Sequence, residues 1–263
     1  MSMMDKISFL QNIMQYRPLM NELVIRDLKV KYRRSFLGYI WSLLNPLLMM
    51  IVMTLVFSYM FRFDVDNYPL YLICGNTLWT FFSESTGMAM GSVLANGSLI
   101  RKVYIPKYIF PISRVLSSFV TMSFSLVAIL IVMLFTKVPL RAELLLVPIP
   151  LALLLLFCMG IGMVLSALSV YFRDIVHLYG VLTMAWMYAT PIFYPLSALP
   201  EEIAGYIQFN PMYHYITFFR SLVLYGTLPE VSVWISCIFC SVVAFVIGVF
   251  AFRKLQRNFI LHV

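Results

Sequence analysis

Long stretches without a charged residue recur along the chain, and they limit the folds available to it. Residues 35–61 contain no Asp, Glu, Lys or Arg, and further apolar segments of similar length follow. A helix needs about 20 apolar residues to cross the roughly 30 Å of hydrocarbon in a bilayer. The alternation over about 10 residues that is typical of a membrane β-barrel does not dominate anywhere. The sequence therefore predicts an all-α membrane protein with several spans.

Composition excludes a soluble globular chain. Of the 263 residues, 62% are apolar and 11% are charged, whereas soluble domains have about 45–50% and about 25%. No apolar core of a signal peptide is visible in the first 30 residues, so we expect no cleavable leader.

Six spans are predicted, and together they form a single transmembrane domain over residues 1–263. They cover residues 36–61, 69–93, 110–135, 144–171, 175–194 and 231–252, and the fifth of them is interrupted at TPIFYP. The region between the last two, residues 195–230, has apolar patches that prolines interrupt. Either it forms short re-entrant helices that enter the membrane and return, which buried backbone tolerates, or it is a surface loop. Its many Tyr and Phe residues favour re-entrant helices.

The distribution of Lys and Arg predicts the orientation. With the amino terminus inside and six spans, the inner segments are residues 1–35, 94–114, 172–177 and 253–263. These segments hold 15 of the 19 basic residues, and Lys and Arg concentrate on the cytoplasmic side of membrane proteins. We therefore expect both termini in the cytoplasm. The net charge of +8 then reflects topology rather than binding to nucleic acid.

Residues 18–34 have the pattern of an amphipathic helix that lies at the membrane interface. Apolar residues recur every fourth position from Met20 to Tyr32, and basic residues occupy another face. Such a face suits anionic headgroups or a protein partner. The inner loop at residues 96–107 is also basic. It is either a simple determinant of topology or a short helix that contacts a cytoplasmic partner.

No catalytic constellation and no metal site emerge from the sequence. A phosphate-binding loop of the G-x-x-x-x-G-K-[ST] type is absent because no Gly precedes a Lys, so the chain cannot bind ATP by that loop. The three histidines fall in separate regions, and the four cysteines lie in apolar segments, where Cys acts as a small hydrophobe.

Glu84 is the one acid deep inside an apolar segment. An ionisable group in the membrane is costly and often functional, and no basic residue lies within a predicted span near it. Alternatively, its span lines an aqueous centre, and Ser or Thr residues hydrogen-bond to it. Gly87 and Gly91 have the G-x-x-x-G spacing of close helix contacts, whereas Gly160 and Gly162 indicate local packing.

The chain resembles the membrane subunits of type-two ABC exporters, specifically the branch that exports polysaccharide and O-antigen, with teichoic-acid exporters as relatives. Five motifs carry this resemblance: RDLKVKYRRSFLGYIWSLLNPLL at 26–48, LIRKVYIPKYIFP at 99–111, YFRDIVHL at 171–178, ATPIFYP at 189–195 and NPMYHYITFFRSLVLYG at 210–226. The first motif is the most specific of the five.

The resemblance implies a homodimer bound to two copies of a separate ATPase subunit, which would hold ATP and Mg. The substrate would be a lipid-linked glycan that moves out of the cytoplasm across the bacterial inner membrane. Residues 18–34 and 96–107 would transmit closure of the ATPase. The candidates for this coupling are Arg26, Lys29, Arg33, Arg34, Arg101, Lys102, Tyr104 and Lys107.

The resemblance also implies a channel between the two subunits, lined by the first, second and fifth spans. Its candidate glycan contacts are Tyr39, Trp41, Trp79, Phe82, Glu84, Trp186, Tyr188, Phe193 and Tyr194. For each ring singly, core packing or an interfacial belt is the alternative role. An outer gate in residues 195–230 would include Asn210, Pro211, Tyr213, Tyr215 and Arg220.

Three other functions compete with glycan export. An exporter of teichoic acid, lipid or drug would keep the same fold. A membrane-embedded transferase would require clustered His, Asp or Glu at one interface, and only Arg173, Asp174 and His177 come near this pattern. A passive channel would require a ring of charges inside the spans, which the predicted spans lack.

Overall fold

The computed structural model describes residues 14–33, 35, 37–60, 65–103, 105–256 and 259, and within these residues all regular secondary structure is helical. The predicted all-α fold is therefore confirmed. Among the described residues, four helical segments are long and apolar enough to cross a membrane, namely Gly38–Phe57, Ile109–Phe135, Ala142–Tyr171 and Val231–Leu255.

We number the helices in chain order. They are α1 Arg17–Tyr32, α2 Trp41–Met60, α3 Tyr68–Met90, α4 Ser92–Ala95, α5 Gly97–Lys102, α6 Ile109–Phe135, α7 Pro148–Tyr171, α8 Ile175–Tyr188, α9 Glu201–Ile207, α10 Pro211–Arg220 and α11 Val231–Leu255. Short 3-10 segments, Gly38–Ile40, Ala142–Leu146 and Leu196–Ala198, precede α2, α7 and α9, and one π-helical turn, Ser221–Tyr225, follows α10.

Helix α3 is the centre of the protein. It has 23 residues, most of them buried, and it packs against α2, α6, α7 and α10. Because its neighbours are protein rather than lipid, α3 tolerates polar residues that a lipid-facing span would exclude. This explains why the second predicted span is the least apolar of the six.

Helix α8 ends at Tyr188, well before the predicted limit at residue 194. Its 14 residues measure about 21 Å at 1.5 Å each, which is less than the hydrocarbon thickness of about 30 Å. Pro191 and Pro195 account for the early end, since proline lacks the backbone N–H and disfavours helical backbone before it. The chain continues as an irregular segment through residue 195.

Remote parts of the chain meet at two opposite ends of the molecule. At the first end, the Tyr171 hydroxyl donates to the Leu255 carbonyl at 2.6 Å, and Ser169 donates to the carbonyl of Met90 at 2.6 Å. At the second end, the Tyr68 hydroxyl donates to the carbonyl of Phe193 at 2.6 Å. We call the first of these ends the basic end and the second the clamp end. Helix α1 and the last turn of α11 share the basic end.

The closest helix crossing joins α7 and α11. A Cβ added to Gly160 would lie 2.3 Å from the carbonyl carbon of Ala244, and one added to Gly248 would lie 2.4 Å from the carbonyl oxygen of Gly160. The two backbones therefore touch. A Cβ added to Gly87 or Gly91 would have no described atom of another element within 4 Å, so among the described residues their G-x-x-x-G spacing makes no close helix contact.

Candidate functional site

Helix α3 exposes a narrow polar stripe. Between residues 70 and 86, the side chains that are not buried are Asn76, Thr80, Ser83 and Glu84. The spacing of three and four residues places them on one face of the helix. A face of amides, hydroxyls and a carboxylate is unfavourable against lipid. This polar stripe therefore suits contact with water or with a polar ligand.

Glu84 forms an ion pair with Lys31 of α1. The two side chains are about one third exposed, at 32% and 36%. The sequence analysis did not predict this partner. It considered only basic residues within the predicted spans, and Lys31 lies in the helix before the first span. The pair links α1 directly to the polar stripe.

A buried carboxylate fixes α1 against α6. Asp27 has a side chain that is only 4% exposed, and Arg114 Nη1 contacts its Oδ1 at 3.0 Å. Arg26 Nη2 lies 3.2 Å from the same oxygen. Removing one partner of such a buried pair is strongly destabilising. Helix α1 is therefore attached to the protein through specific ion pairs, a feature that its apolar periodicity did not indicate.

The predicted coupling residues divide into exposed and internal groups. Arg26 and Lys29 on α1 are exposed, as is Arg33 directly after this helix, and Arg101 and Lys102 are exposed at the end of α5. Both sets lie at the basic end, where Arg26 Nη1 donates to Asn96 Oδ1 at 3.4 Å.

Lys107 is used inside the chain. Its Nζ donates to the carbonyl of Gln256 at 2.9 Å and lies 5.5 Å from the centre of the Phe259 ring. Partial burial lowers the pKa of the Lys107 ammonium from its ordinary value. This residue ties the loop before α6 to the end of α11. Arg34 and Tyr104, the other predicted coupling residues, lie outside the described residues.

The predicted channel aromatics also divide by exposure. Tyr39, Trp41 and Tyr188 are exposed at 47%, 45% and 60%, whereas Trp79, Phe82 and Phe193 are at most 6% exposed. For these three buried rings, the structure favours the packing role that the sequence left open. Trp186 and Tyr194 are half-buried.

An aromatic cluster occupies the interior beside α3. The Phe82 ring centre lies 5.4 Å from that of Trp79, 5.0 Å from that of Trp186 and 5.9 Å from that of Phe157. These separations are in the range of favourable aromatic contacts. The cluster therefore joins α8 to the core through Trp186.

Asn210 connects α8 to α10. Its Oδ1 accepts from the backbone N–H of Met212 at 3.0 Å, as an N-cap does, and from Trp186 Nε1 at 2.8 Å. Its Nδ2 donates to Thr190 Oγ1 at 2.9 Å. An N-cap side chain typically contributes about 1 kcal/mol. Here the same side chain also fixes the end of α8.

Arg220 is the centre of a clamp at the clamp end. Its side chain is buried, and its Nη1 donates to the carbonyl of Pro191 at 2.8 Å. Its Nη2 donates to the carbonyls of Ile192 and Tyr71, both at 3.0 Å. The guanidinium also lies 3.3 Å from the centre of the Tyr71 ring. Arg220 thus fastens the irregular segment after α8 to α3.

The remaining gate candidates surround this clamp. Tyr215 is fully buried and donates to the carbonyl of Cys237 at 3.1 Å, whereas Pro211 and Tyr213 are half-buried. Helix α10 therefore packs inside the protein rather than on its surface. This burial contradicts an ordinary surface loop over residues 211–220.

Comparison with known proteins places these features in a family. The model of the ABC-2 type transporter family matches residues 19–224. The chain is similar to the O-antigen export system permease protein RfbA of Myxococcus xanthus, with 33% identity over 85% of this chain and 87% of the relative. RfbA of Klebsiella pneumoniae is 30% identical over 89% of this chain and 90% of the relative. The capsule polysaccharide export inner-membrane protein CtrC of Neisseria meningitidis is 24% identical over 84% of each. The chain therefore belongs to the ABC-2 type transporter family.

Proposed function

We propose that this chain is the permease subunit of an ATP-driven exporter that moves a lipid-linked, O-antigen-like polysaccharide from the cytoplasm across the bacterial inner membrane. The observation that carries the proposal is the polar stripe of α3 in a chain whose relatives are named as O-antigen and capsule polysaccharide export proteins. A hydroxylated polymer requires such a hydrophilic wall.

The working assembly in this proposal is a homodimer with two copies of a separate ATPase subunit. ATP and Mg bind to that partner, and the channel runs between the two permease copies. The exposed basic faces of α1 and of the end of α5 support the placement of the partner at the basic end, which is cytoplasmic in this proposal. Helix α1 is then the interfacial helix that receives the movement of the ATPase.

Six membrane crossings complete the proposed topology. The four long apolar helices account for four of them, α3 crosses inside the protein, and α8 with the irregular segment after it makes the remaining one. Helices α9 and α10 are re-entrant in this arrangement. Burial of α10 supports this assignment for α10, since a segment that enters the membrane and returns is tolerated where protein surrounds it.

Deletion of the gene tests the proposed function. We expect surface polysaccharide to disappear and lipid-linked glycan to accumulate inside the cell, because synthesis continues when export stops. Immunoblots of surface glycan and extraction of the lipid fraction measure the two quantities. Undiminished surface polysaccharide without internal accumulation would refute the proposal.

Charge reversal at the end of α5 tests the position of the ATPase. We expect the Arg101→Glu/Lys102→Glu variant to insert normally but to lose most export, since like charges at a contact are unfavourable. Measurements of surface glycan and of the ATPase that copurifies with the chain report the two effects. The matched control is Arg173→Glu/Lys254→Glu, an equal change of charge at exposed positions of the same end. Equal export by both variants would contradict the assignment.

A further inference from the structure

The ion pair between Lys31 and Glu84 joins the interfacial helix α1 to the polar stripe of α3. Lys31 is the second-last residue of α1, and Glu84 lies within α3. The other ion pairs of the described residues join Asp27 to Arg26 and to Arg114 and do not reach α3. The Lys31–Glu84 pair is therefore a direct electrostatic contact between α1 and the proposed wall of the translocation path.

The exposure of this pair indicates that it adds little stability. The Lys31 and Glu84 side chains are 36% and 32% exposed, and ion pairs with such access to solvent are weak because water and salt screen the charges. A carboxylate in a membrane segment also carries a desolvation cost. Glutamine would give the polar stripe a hydrogen-bonding group at a lower cost. Stability therefore does not account for the carboxylate at position 84.

The middle of α1 is fastened to the protein, whereas its last turn is exposed. Leu23 and Asp27 are buried, and Arg114 Nη1 of α6 contacts Asp27 Oδ1 at 3.0 Å. The side chains of residues 29–31 are exposed. The ion pair with Glu84 therefore holds against α3 a turn of the helix that apolar packing does not hold.

The last turn of α1 also stands close to α2 along the chain. Only residues 33–37 separate the end of α1 from the 3-10 segment Gly38–Ile40 that precedes α2, and α2 packs against α3. On one side of this turn is the basic face at which the ATPase is proposed to act. On the other side are two of the helices that are proposed to line the channel. A contact at this point is well placed to connect the two.

We propose that Lys31 and Glu84 are positioning residues for export: their contact holds the last turn of α1 against the polar stripe and couples movement of α1 to α3. This inference rests on the proposed export function and on the proposed position of the ATPase. A weak contact suits the role, because the ATPase has to break it and form it again in every cycle. The alternative is an exposed ion pair that has no part in export.

Four single variants separate coupling from structure. Glu84→Gln and Lys31→Met each remove one charge and nearly keep the length of the side chain, whereas Lys31→Arg keeps the charge. The matched control is Glu22→Gln, which removes the same charge from an exposed position of α1 that forms no ion pair within the described residues. Thermal unfolding should show a change of less than about 4 °C for each variant, since a solvent-exposed pair contributes little.

Export and ATP hydrolysis are measured separately. Surface glycan is quantified in cells that carry each variant, and ATP hydrolysis is measured on the chain copurified with its ATPase subunit in lipid nanodiscs. We expect Glu84→Gln and Lys31→Met each to lower surface glycan about fivefold or more, with ATP hydrolysis within about twofold of the wild type. Lys31→Arg and Glu22→Gln should export like the wild type.

The double variant Lys31→Met/Glu84→Gln tests whether the two residues act through one contact. We expect it to export as much glycan as either single variant, because the contact is already broken in each of them. A loss that is the product of the two single losses would show two independent roles and would overturn the inference.

Three further results would also overturn it. A loss of export in Glu84→Gln but not in Lys31→Met would assign Glu84 to the glycan alone. A loss of the copurified ATPase in Lys31→Met would assign Lys31 to docking of that subunit. Normal export by both variants would leave an ordinary exposed ion pair. Failure of the export function would appear instead as unchanged surface glycan after gene deletion, so the two failures are distinguishable.

Discussion

Replacement of Arg220 with methionine should lower the free energy of unfolding by about 3–5 kcal/mol, the range seen when a buried charge network loses one partner. Three hydrogen-bonded carbonyls, those of Tyr71, Pro191 and Ile192, would lose their charged donor. A hydrogen bond to a charged group contributes about 1.5–3 kcal/mol. Methionine fills similar space, so the loss would report hydrogen bonding rather than volume. Export should fall with stability, because the segment after α8 would separate from α3.

Arg141→Met is the matched control for this experiment. Arg141 also donates to a backbone carbonyl, that of Tyr225 at 2.7 Å, but its side chain is exposed. Water can replace an exposed donor, so we expect a loss of at most about 1 kcal/mol. Thermal unfolding of the two purified variants in detergent provides the comparison. Equal losses would show that the buried clamp contributes no more than an ordinary surface contact.

Gly160→Ala should destabilise the protein although alanine is the better helix former. In an exposed helix the change from glycine to alanine stabilises by about 1 kcal/mol. At Gly160 the new Cβ would lie 2.4 Å from the carbonyl oxygen of Ala244, and α7 and α11 would have to separate. Overpacking of this kind costs about 1–3 kcal/mol. The sign of the effect is therefore the opposite of that predicted by helix propensity.

Gly180→Ala in α8 is the control for Gly160→Ala, since no described atom lies within 4 Å of a Cβ at that position. We expect Gly180→Ala to be neutral or slightly stabilising. Both variants can be compared by thermal unfolding and by the yield of folded protein after detergent extraction. If Gly160→Ala were as stable as Gly180→Ala, the close crossing of α7 and α11 would be absent from the detergent-extracted protein.

The helices could be predicted from the sequence because the patterns that determine them are local. A long run of apolar residues predicts a helix that can span the membrane, and the helices α6 and α11 occupy the segments where such runs occur. The end of α8 shows how a local signal can be misread. TPIFYP contains the two prolines that stop the helix. The sequence marks this motif as an interruption of the fifth span, yet the predicted limit stays at residue 194 because the apolar residues continue to that point, whereas the helix ends at Tyr188.

The candidate site depended on contacts that no local pattern encodes. Lys31 and Glu84 lie 53 residues apart, and their pairing requires the packing of α1 beside α3. The aromatic residues show the same limit. Trp79 and Tyr188 look alike in an apolar sequence, but the first is buried and the second is exposed. Since nearly every residue around them is apolar, periodicity does not distinguish the protein interior from lipid or a pore.

The clamp at Arg220 also sets an order of events during biosynthesis. Arg220 follows Tyr71 by 149 residues and Pro191 by 29 residues. At about 5–20 residues per second, the ribosome adds Arg220 roughly 7–30 s after Tyr71. During the last few seconds of that interval, the carbonyls of residues 191 and 192 are already synthesised but lack the guanidinium. The segment after α8 therefore waits for the helix that follows it, and a nascent chain that stops before residue 220 would leave this end of the protein open.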